Sequence, residues 1–127
     1  MEIDITKKIK NFIDLNAWRS GHVLVLEIYK ITQKFPTIEK FGLSDQIRRT
    51  TVSITSNISE GFSRQTKKDK LNFYHISLGS LSEVQNQIII ARDLKYIDNN
   101  SYINLKTQTI TISKLLNGLI KSLKHNT

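Results

Sequence analysis

The chain of 127 residues carries a formal net charge of +8, has no cysteine, and is 39% hydrophobic and 24% charged. This length and composition predict one globular domain and exclude a disulfide scaffold, a thiolate metal site and a disordered chain. The first residues lack the apolar run of a signal peptide, and no stretch approaches the ~20 apolar residues of a membrane span, so we expect a cytoplasmic protein without a membrane partner.

The N-terminal third is predicted to contain one long helix after a short leader. Residues 1–15 carry Ile5, Ile9, Phe12 and Ile13 at amphipathic spacing, which predicts an N-terminal arm or a short extra helix before a bundle domain of residues 16–125. The first long helix is expected over residues 16–34, with His22 on its seam. It ends before Pro36, because a proline ring breaks a helix interior.

For two segments of the chain, the local pattern alone does not decide between a helix and a strand. The apolar run 23–26 also fits a buried strand, and residues 50–55 are β-branched at almost every position, which by propensity favours a strand. The spacing of Ile47, Ile54 and Ile58 is helical, however. It predicts a second helix with Ser44 as its N-cap and with Gly61 in the left-handed position just after its end.

The last two helices have clearer signals. Thr66 followed by Asp69 is a capping pattern, and Leu71, Leu78 and Leu81 continue a seam of alternating three- and four-residue steps. The pair Gly79 and Ser80 within that helix predicts a close approach of two backbones. A strict heptad alternation follows from Tyr102 to Leu123, with Asp98 or Asn99 as the cap. Four such helices with short connections predict an all-α, up-down-up-down four-helix bundle.

A dense polar set lies inside the apolar rhythm of the second helix and continues in the third. Its members in the second helix are Gln46, Arg48, Arg49, Ser53, Asn57 and Glu60, and the run stops at Gly61; Gly79, Ser80 and Glu83 follow in the third helix. In this order they resemble the four-helix bundle proteins encoded in intervening sequences of bacterial 23S ribosomal RNA genes. The accessory variability protein of diversity-generating retroelements is related to that family. The resemblance favours helix over strand for residues 50–55, although Thr55 and Ser59 replace the proline and alanine common in the family.

The resemblance also carries expectations about assembly and partners. It implies a homopentamer with a basic surface. Because the related retroelement protein binds nucleic acid and a reverse transcriptase, it also implies these as partners. A positive surplus of this size independently indicates a polyanionic partner, nucleic acid first. RNA is favoured over DNA because of the ribosomal RNA context of the family.

Three groups of cations are candidate nucleic-acid contacts. They are Arg48 with Arg49; Arg64, Lys67, Lys68 and Lys70 around a helix start; and Lys114 with Lys121 on one face of the last helix, near Lys106 and Lys124. Each group has a plain alternative. The arginine pair fits an intersubunit salt bridge equally well, and the two lysine groups also fit solvated helix surfaces.

The remaining polar residues do not form a catalytic or metal-binding pattern. Asn57 and Glu60 share a helical face, where we expect structural or intersubunit hydrogen bonds rather than acid–base catalysis. His22, His75 and His125 lack the spacing of a metal site, and His22 and His75 are interpreted as bundle or interface residues. The sequence therefore predicts a non-enzymatic, oligomeric nucleic-acid-binding protein without a cofactor, or alternatively a scaffold for a partner enzyme such as a reverse transcriptase.

Overall fold

The computed structural model describes residues 8–125, and this part of the chain forms four long helices and no β-strand. The helices are α1 (Asn16–Thr32), α2 (Leu43–Ser63), α3 (Lys67–Asp93) and α4 (Asn99–His125). Consecutive helices pack side by side, and α4 also packs on α1, which closes the bundle. The predicted all-α four-helix fold is confirmed. Among these helices none is long and apolar enough to cross a membrane.

The core is built from one aliphatic stripe on each helix. Leu24, Ile54, Val84 and Ile112 are completely shielded from solvent and represent the four stripes. Burial of each such side chain is worth about 1.5–3 kcal/mol relative to exposure. The three- and four-residue spacing of the sequence therefore selects the buried faces correctly.

Both segments that were ambiguous between helix and strand are helical. In α2 the buried Thr50 and Thr51 each donate a hydroxyl hydrogen bond to the carbonyl four residues earlier, on Gln46 and Ile47, at 2.7 Å. These bonds satisfy the hydroxyls within the helix itself, so β-branched threonines are tolerated in the core. Residues 23–26 lie within α1.

The start of α2 corrects one predicted cap. The helix begins at Leu43, one residue before the expected N-cap Ser44, which is itself buried. The Leu43 amide donates to the Glu39 carboxylate at 3.1 Å, so a residue of the preceding connection does the capping. Gly42 leaves room for it, because a Cβ there would lie 2.6 Å from Glu39 Oε1.

The same carboxylate ties two connections together at this end of the bundle. Glu39 Oε2 accepts a hydrogen bond of 2.8 Å from the Tyr96 hydroxyl. This bond and the Leu43 amide hold the pKa of Glu39 below its ordinary value, and the same bond raises the pKa of Tyr96. The Phe35 ring lies 5.3 Å from the Tyr96 ring, so the α1–α2 and α3–α4 connections contact each other through apolar and polar groups alike.

The predicted caps of the last two helices are confirmed. Thr66 precedes α3, and its hydroxyl accepts from the Asp69 amide at 3.1 Å. Asp98 precedes α4 and accepts from the Ser101 amide at 2.7 Å, which lowers the pKa of Asp98. Of the two candidates for the α4 cap, the structure selects Asp98.

Two glycine predictions were wrong. Gly61 does not end α2 in a left-handed conformation, because the helix continues to Ser63 and none of the glycines in residues 8–125 has a positive φ. Instead, a Cβ at Gly61 would lie 2.7 Å from the Tyr74 ring, so this glycine permits close packing of α2 on α3. At Gly79 the predicted close approach is not seen, since no other part of the described chain lies within 4 Å of the position of its Cβ.

The described part of the predicted N-terminal arm packs beside α1. Residues 1–7, including Ile5, lie outside the described residues, and a short 3₁₀ turn follows at Phe12–Asp14. The Phe12 ring lies 5.2 Å from Trp18, whose other neighbour is the ring of His22, stacked at 4.8 Å. His22 is exposed, so of the two predicted places, bundle or interface, the bundle interior is not its position.

Candidate nucleic-acid interface

The start of α3 presents two lysines beside free backbone amides. Lys67 and Lys68 occupy the first two positions of the helix, where amide groups have no intrahelical acceptor. Together with Asp69, Leu71, Asn72 and His75 they line an open depression of about 690 Å³. The positive end of the helix dipole and two ammonium groups favour an anion here. His75 is exposed beside them rather than within the bundle, which corrects that part of its interpretation.

The other two cations of this loop are engaged within the chain. Lys70 Nζ donates to the Phe62 carbonyl at 2.6 Å and lies over the Phe62 ring, so it caps the carboxyl end of α2. Arg64 forms a salt bridge of 2.6 Å with Glu60 and stacks on the Phe73 ring. Two of the four predicted cations, Arg64 and Lys70, therefore stabilise the fold, and an anion would have to compete with their contacts.

The arginine pair of α2 lies near the opposite end of the bundle. Arg48 Nε donates to the Thr32 hydroxyl at 2.7 Å, and its guanidinium stacks on the Tyr29 ring at 4.7 Å. Arg48 thus joins α2 to the carboxyl end of α1. Arg49 has a side chain that is 80% exposed and pairs with Asp45 at 3.2 Å, one turn earlier on α2. The structure does not bring this pair close to the other predicted cations.

The lysines of α4 are exposed along one side of the bundle. Lys114 and Lys121 are one heptad apart and share a helix face, and Lys124 follows in the last turn. Within residues 8–125 none of these three lysines forms a salt bridge. They are therefore available to phosphate groups, whereas Lys106 lies near the other end of α4.

The charges of the bundle are strongly polarised along its axis. The half that contains the start of α1, the end of α2, the start of α3 and the end of α4 comprises residues 8–23, 54–79 and 113–125. It holds ten cations against three carboxylates, Asp14, Glu60 and Asp69. The ten cations are Lys8, Lys10, Arg19, Arg64, Lys67, Lys68, Lys70, Lys114, Lys121 and Lys124. The opposite half holds eight cations against six carboxylates. We call the first half the basic end.

Sequence reasoning missed the contribution of the N-terminal segment to the basic end. Ile9 lies close to Leu15, Leu119 and Leu123, with which it lines an open depression of about 240 Å³. The flanking Lys8 and Lys10 therefore lie over the same end of the bundle as the end of α4. The signal for this was the amphipathic spacing of Ile9 with Phe12 and Ile13.

The other polar residues of the family pattern mostly serve helix packing. Ser53 on α2 and Ser80 on α3 share a hydrogen bond of 2.8 Å, and Asn57 Nδ2 donates to the Ser53 hydroxyl and carbonyl. Ser77, missed by sequence reasoning, donates to the Ile54 carbonyl at 2.8 Å. Gln46 and Glu83 are exposed. Ser53, Asn57 and Ser80 therefore form one hydrogen-bonded group between α2 and α3.

The two polar residues that share a face of α2 at the basic end, Asn57 and Glu60, have separate partners. Glu60 is paired with Arg64, and Asn57 bonds to Ser53 rather than to Glu60. Within residues 8–125 no group of three or more histidine or carboxylate side chains could hold a metal ion. The carboxylates with shifted pKa, Glu39 and Asp98, lie at the opposite end, where each caps a helix. The exposed cations of the basic end can bind anions.

The sequence model of the 23S rRNA-intervening sequence proteins matches residues 13–118. The chain belongs to this family. A crystal structure of a protein of unknown function from the S23 ribosomal protein family of Bacteroides thetaiotaomicron is similar, with a TM-score of 0.77 and 25% identity over 83% of this chain and 95% of that one. No curated protein matches the chain. The family resemblance inferred from the polar pattern of α2 and α3 is thereby confirmed.

Proposed function

We propose that this member of the 23S rRNA-intervening sequence family is a non-enzymatic nucleic-acid-binding protein that acts through its basic end. The observation that carries the proposal is the polarised charge, ten cations against three carboxylates in one half of the bundle. A uniformly basic surface would serve solubility equally well. A field concentrated at one end instead favours the approach of a polyanion from that direction.

The mechanism is electrostatic and largely independent of sequence. Lys67, Lys68, Lys114 and Lys121 are the cations that we expect to contact phosphates, because they are exposed or half-exposed and are not committed to salt bridges among residues 8–125. Each neutralised phosphate releases a condensed counterion, so affinity falls steeply as salt rises. RNA is favoured over DNA because the family is named for ribosomal RNA.

Self-association completes the proposal. A homopentamer, which the family resemblance implies, would bring five basic ends together and convert weak single sites into useful avidity. Such an assembly would place the protein among cytoplasmic RNA-binding oligomers. Arg48 then serves the fold rather than nucleic-acid binding, because it bonds to Thr32, whereas Arg49, which is exposed and pairs with Asp45, is a secondary contact.

A second candidate function is a scaffold for a partner enzyme such as a reverse transcriptase. It is favoured by Ile38 and Phe41, which are both 87% exposed in the connection between α1 and α2, at the end opposite to the basic end. Two large apolar side chains exposed three residues apart would suit contact with a protein partner. Recovery of a partner protein that survives nuclease treatment, and is lost on changing Ile38 and Phe41 to serine, would support the scaffold.

The test of nucleic-acid binding is fluorescence anisotropy of a labelled structured RNA with two charge-matched double variants. Lys67→Ala with Lys68→Ala removes two cations at the basic end, and Lys34→Ala with Lys106→Ala removes two exposed cations from the opposite half. We expect the first pair alone to weaken binding and to reduce the salt slope by about 0.7–0.9 per lost phosphate contact. Equal effects of the two pairs would refute a localised interface.

A further inference from the structure

The end of the bundle opposite to the basic end has an open depression of about 230 Å³ between the last turn of α1 and the start of α2. Its lining combines two cations, Lys40 and Arg48, with the hydroxyl groups of Thr32, Thr37 and Ser44. Among residues 8–125, no carboxylate lines this depression, which we call the α2 pocket. Cations and hydroxyl donors gathered without a carboxylate have the chemistry of an anion site.

The Ser44 side chain is the clearest indication of a ligand in the α2 pocket. Ser44 is only 7% exposed and lines the pocket, and its hydroxyl has no hydrogen-bond partner among the described residues. The buried hydroxyls of Thr50 and Thr51, further along the same helix, each bond to a carbonyl of α2. A buried hydroxyl without a partner destabilises a fold, so Ser44 indicates a partner from outside the chain.

Backbone amides at the start of α2 add to the donors around Ser44. The amides of Ser44 and Asp45 lie in the first turn and have no acceptor among residues 8–125. The carboxylates of this region are engaged elsewhere, since Glu39 accepts from the Leu43 amide and Asp45 pairs with Arg49. The positive end of the helix dipole therefore remains open to an anion beside the Ser44 hydroxyl.

The two cations of the α2 pocket are placed to meet an anion at Ser44. Arg48 lies one turn after Ser44 and therefore on the same face of α2. Its Nε and Nη2 donate to the Thr32 hydroxyl and the Tyr29 carbonyl at 2.7 and 3.4 Å, which fixes the guanidinium group and leaves Nη1 without a partner among the described residues. Lys40 is exposed and forms no salt bridge within residues 8–125.

The charge and size of the α2 pocket suit a phosphate monoester. Such a group carries a charge of about −1.5 to −2 at pH 7 and three acceptor oxygens, which two cations and several donors match. A phosphodiester of nucleic acid carries only one charge per phosphate. Pockets for drug-sized ligands measure about 300–1,000 Å³, so the smaller α2 pocket suits one phosphate group with a small remainder. Phe35 and Pro36 also line the pocket and offer an apolar contact for that remainder.

We propose that the α2 pocket binds a phosphate group, either free or as the monoester of a small molecule, through Ser44, Lys40 and Arg48. The hydroxyl and the free amides of the first turn of α2 hold the oxygens, and the two cations balance the charge. The bonds of Arg48 to α1 serve this site as well as the fold, because they hold its guanidinium group in place. The pocket is separate from the basic end and does not depend on nucleic-acid binding there.

Isothermal titration calorimetry with inorganic phosphate and adenosine 5′-monophosphate tests the site, with adenosine as the probe that lacks phosphate. We expect both phosphate probes to bind and adenosine not to bind. Tighter binding of the monophosphate would identify a monoester as the ligand, and equal affinities would identify free phosphate; both results support the pocket. Lys40→Glu and Ser44→Ala should each weaken phosphate binding about tenfold, whereas Lys40→Arg should retain it.

Matched controls separate a local site from general charge. Lys106→Glu and Ser82→Ala change an exposed lysine and an exposed serine away from the α2 pocket and should leave phosphate affinity unchanged. Circular dichroism checks that each variant is folded, and Lys40 is exposed, so its substitution tests the site even if Ser44→Ala alters stability. Absence of phosphate binding by the wild type, or equal losses in the Lys40→Glu and Lys106→Glu proteins, would overturn the proposal.

The two ends of the bundle can fail independently. Lys67→Ala with Lys68→Ala should weaken RNA binding and leave phosphate affinity at the α2 pocket unchanged. Phosphate binding without RNA binding would refute the proposed function alone. RNA binding without phosphate binding would refute the α2 pocket alone.

Discussion

Substitution of alanine at Gly61 and at Gly118 should change stability in opposite directions. Both residues lie inside helices, where alanine is favoured over glycine by about 1 kcal/mol. At Gly118 an added Cβ meets no other part of the described chain within 4 Å, so we expect the full gain. At Gly61 the added Cβ would lie 2.7 Å from Cε1 and 2.9 Å from Cδ1 of Tyr74.

The Tyr74 ring cannot easily move away from a Cβ at residue 61. Tyr74 is 2% exposed and belongs to the core, and burial raises the pKa of its hydroxyl. Overpacking of this kind costs typically about 1–3 kcal/mol. The free energy of unfolding of the Gly61→Ala protein should therefore lie about 2 kcal/mol below that of the Gly118→Ala protein. For a chain of this length the difference corresponds to about 8 °C in Tm.

The assay is urea unfolding followed by circular dichroism at one fixed protein concentration, because association would make apparent stability concentration-dependent. Each alanine variant is measured beside the wild type. A double variant with Tyr74→Leu, which shortens the side chain facing residue 61, should recover part of the Gly61→Ala loss. Equal stability of the two alanine variants would refute the close approach of α2 and α3 at Gly61.

Three further outcomes follow from the contacts. Ser77→Ala should lower the free energy of unfolding by about 1 kcal/mol, because it removes the buried hydrogen bond from the Ser77 hydroxyl to the Ile54 carbonyl. The control Ser82→Ala, on the exposed side of α3, should have little effect. Urea unfolding of both variants checks this. Arg48→Ala should lower the free energy of unfolding by about 1 kcal/mol, because the hydrogen bond to Thr32 is lost. The same variant should leave the salt slope of RNA binding unchanged. A lowered slope would contradict the structural role of Arg48. The pKa of Glu39 is lowered in the fold, so its contribution to stability is present above the ordinary glutamate pKa and is lost as the pH falls below about 4. The free energy of unfolding, measured from pH 3 to 7, should therefore depend less on pH in the Glu39→Gln protein than in the wild type. Unchanged acid sensitivity of the variant would argue against this capping contact.

The helices could be predicted from the sequence, but two of the details at their ends could not. Apolar spacing repeats along the chain, so it identifies the buried faces of all four helices without knowledge of their partners. Capping by Glu39 depends instead on a connection that folds back onto Leu43. The role of Gly61 depends on the Tyr74 ring across the helix pair, which no local pattern reveals. Ser44 and Gly61 were therefore misassigned.

The candidate site was predictable residue by residue, but its arrangement was not. Charge and spacing identified Lys67, Lys68, Lys114 and Lys121, which lie at one end of the bundle. Sequence alone could not separate these from Lys70, whose ammonium group caps α2 through the Phe62 carbonyl. That distinction requires knowledge of which carbonyls, carboxylates and rings lie within reach of each cation.

The salt dependence of RNA affinity is the most direct test of nucleic-acid binding at the basic end. Anisotropy of one labelled structured RNA would be measured across a salt series on wild-type protein of known mass, with heparin as the competing polyanion. We predict that log K falls linearly with log salt, with a slope of magnitude about 0.7–0.9 for each phosphate contacted, and that RNA is held more tightly than heparin. Absence of binding at low salt, or affinity that does not change with salt, would contradict the account.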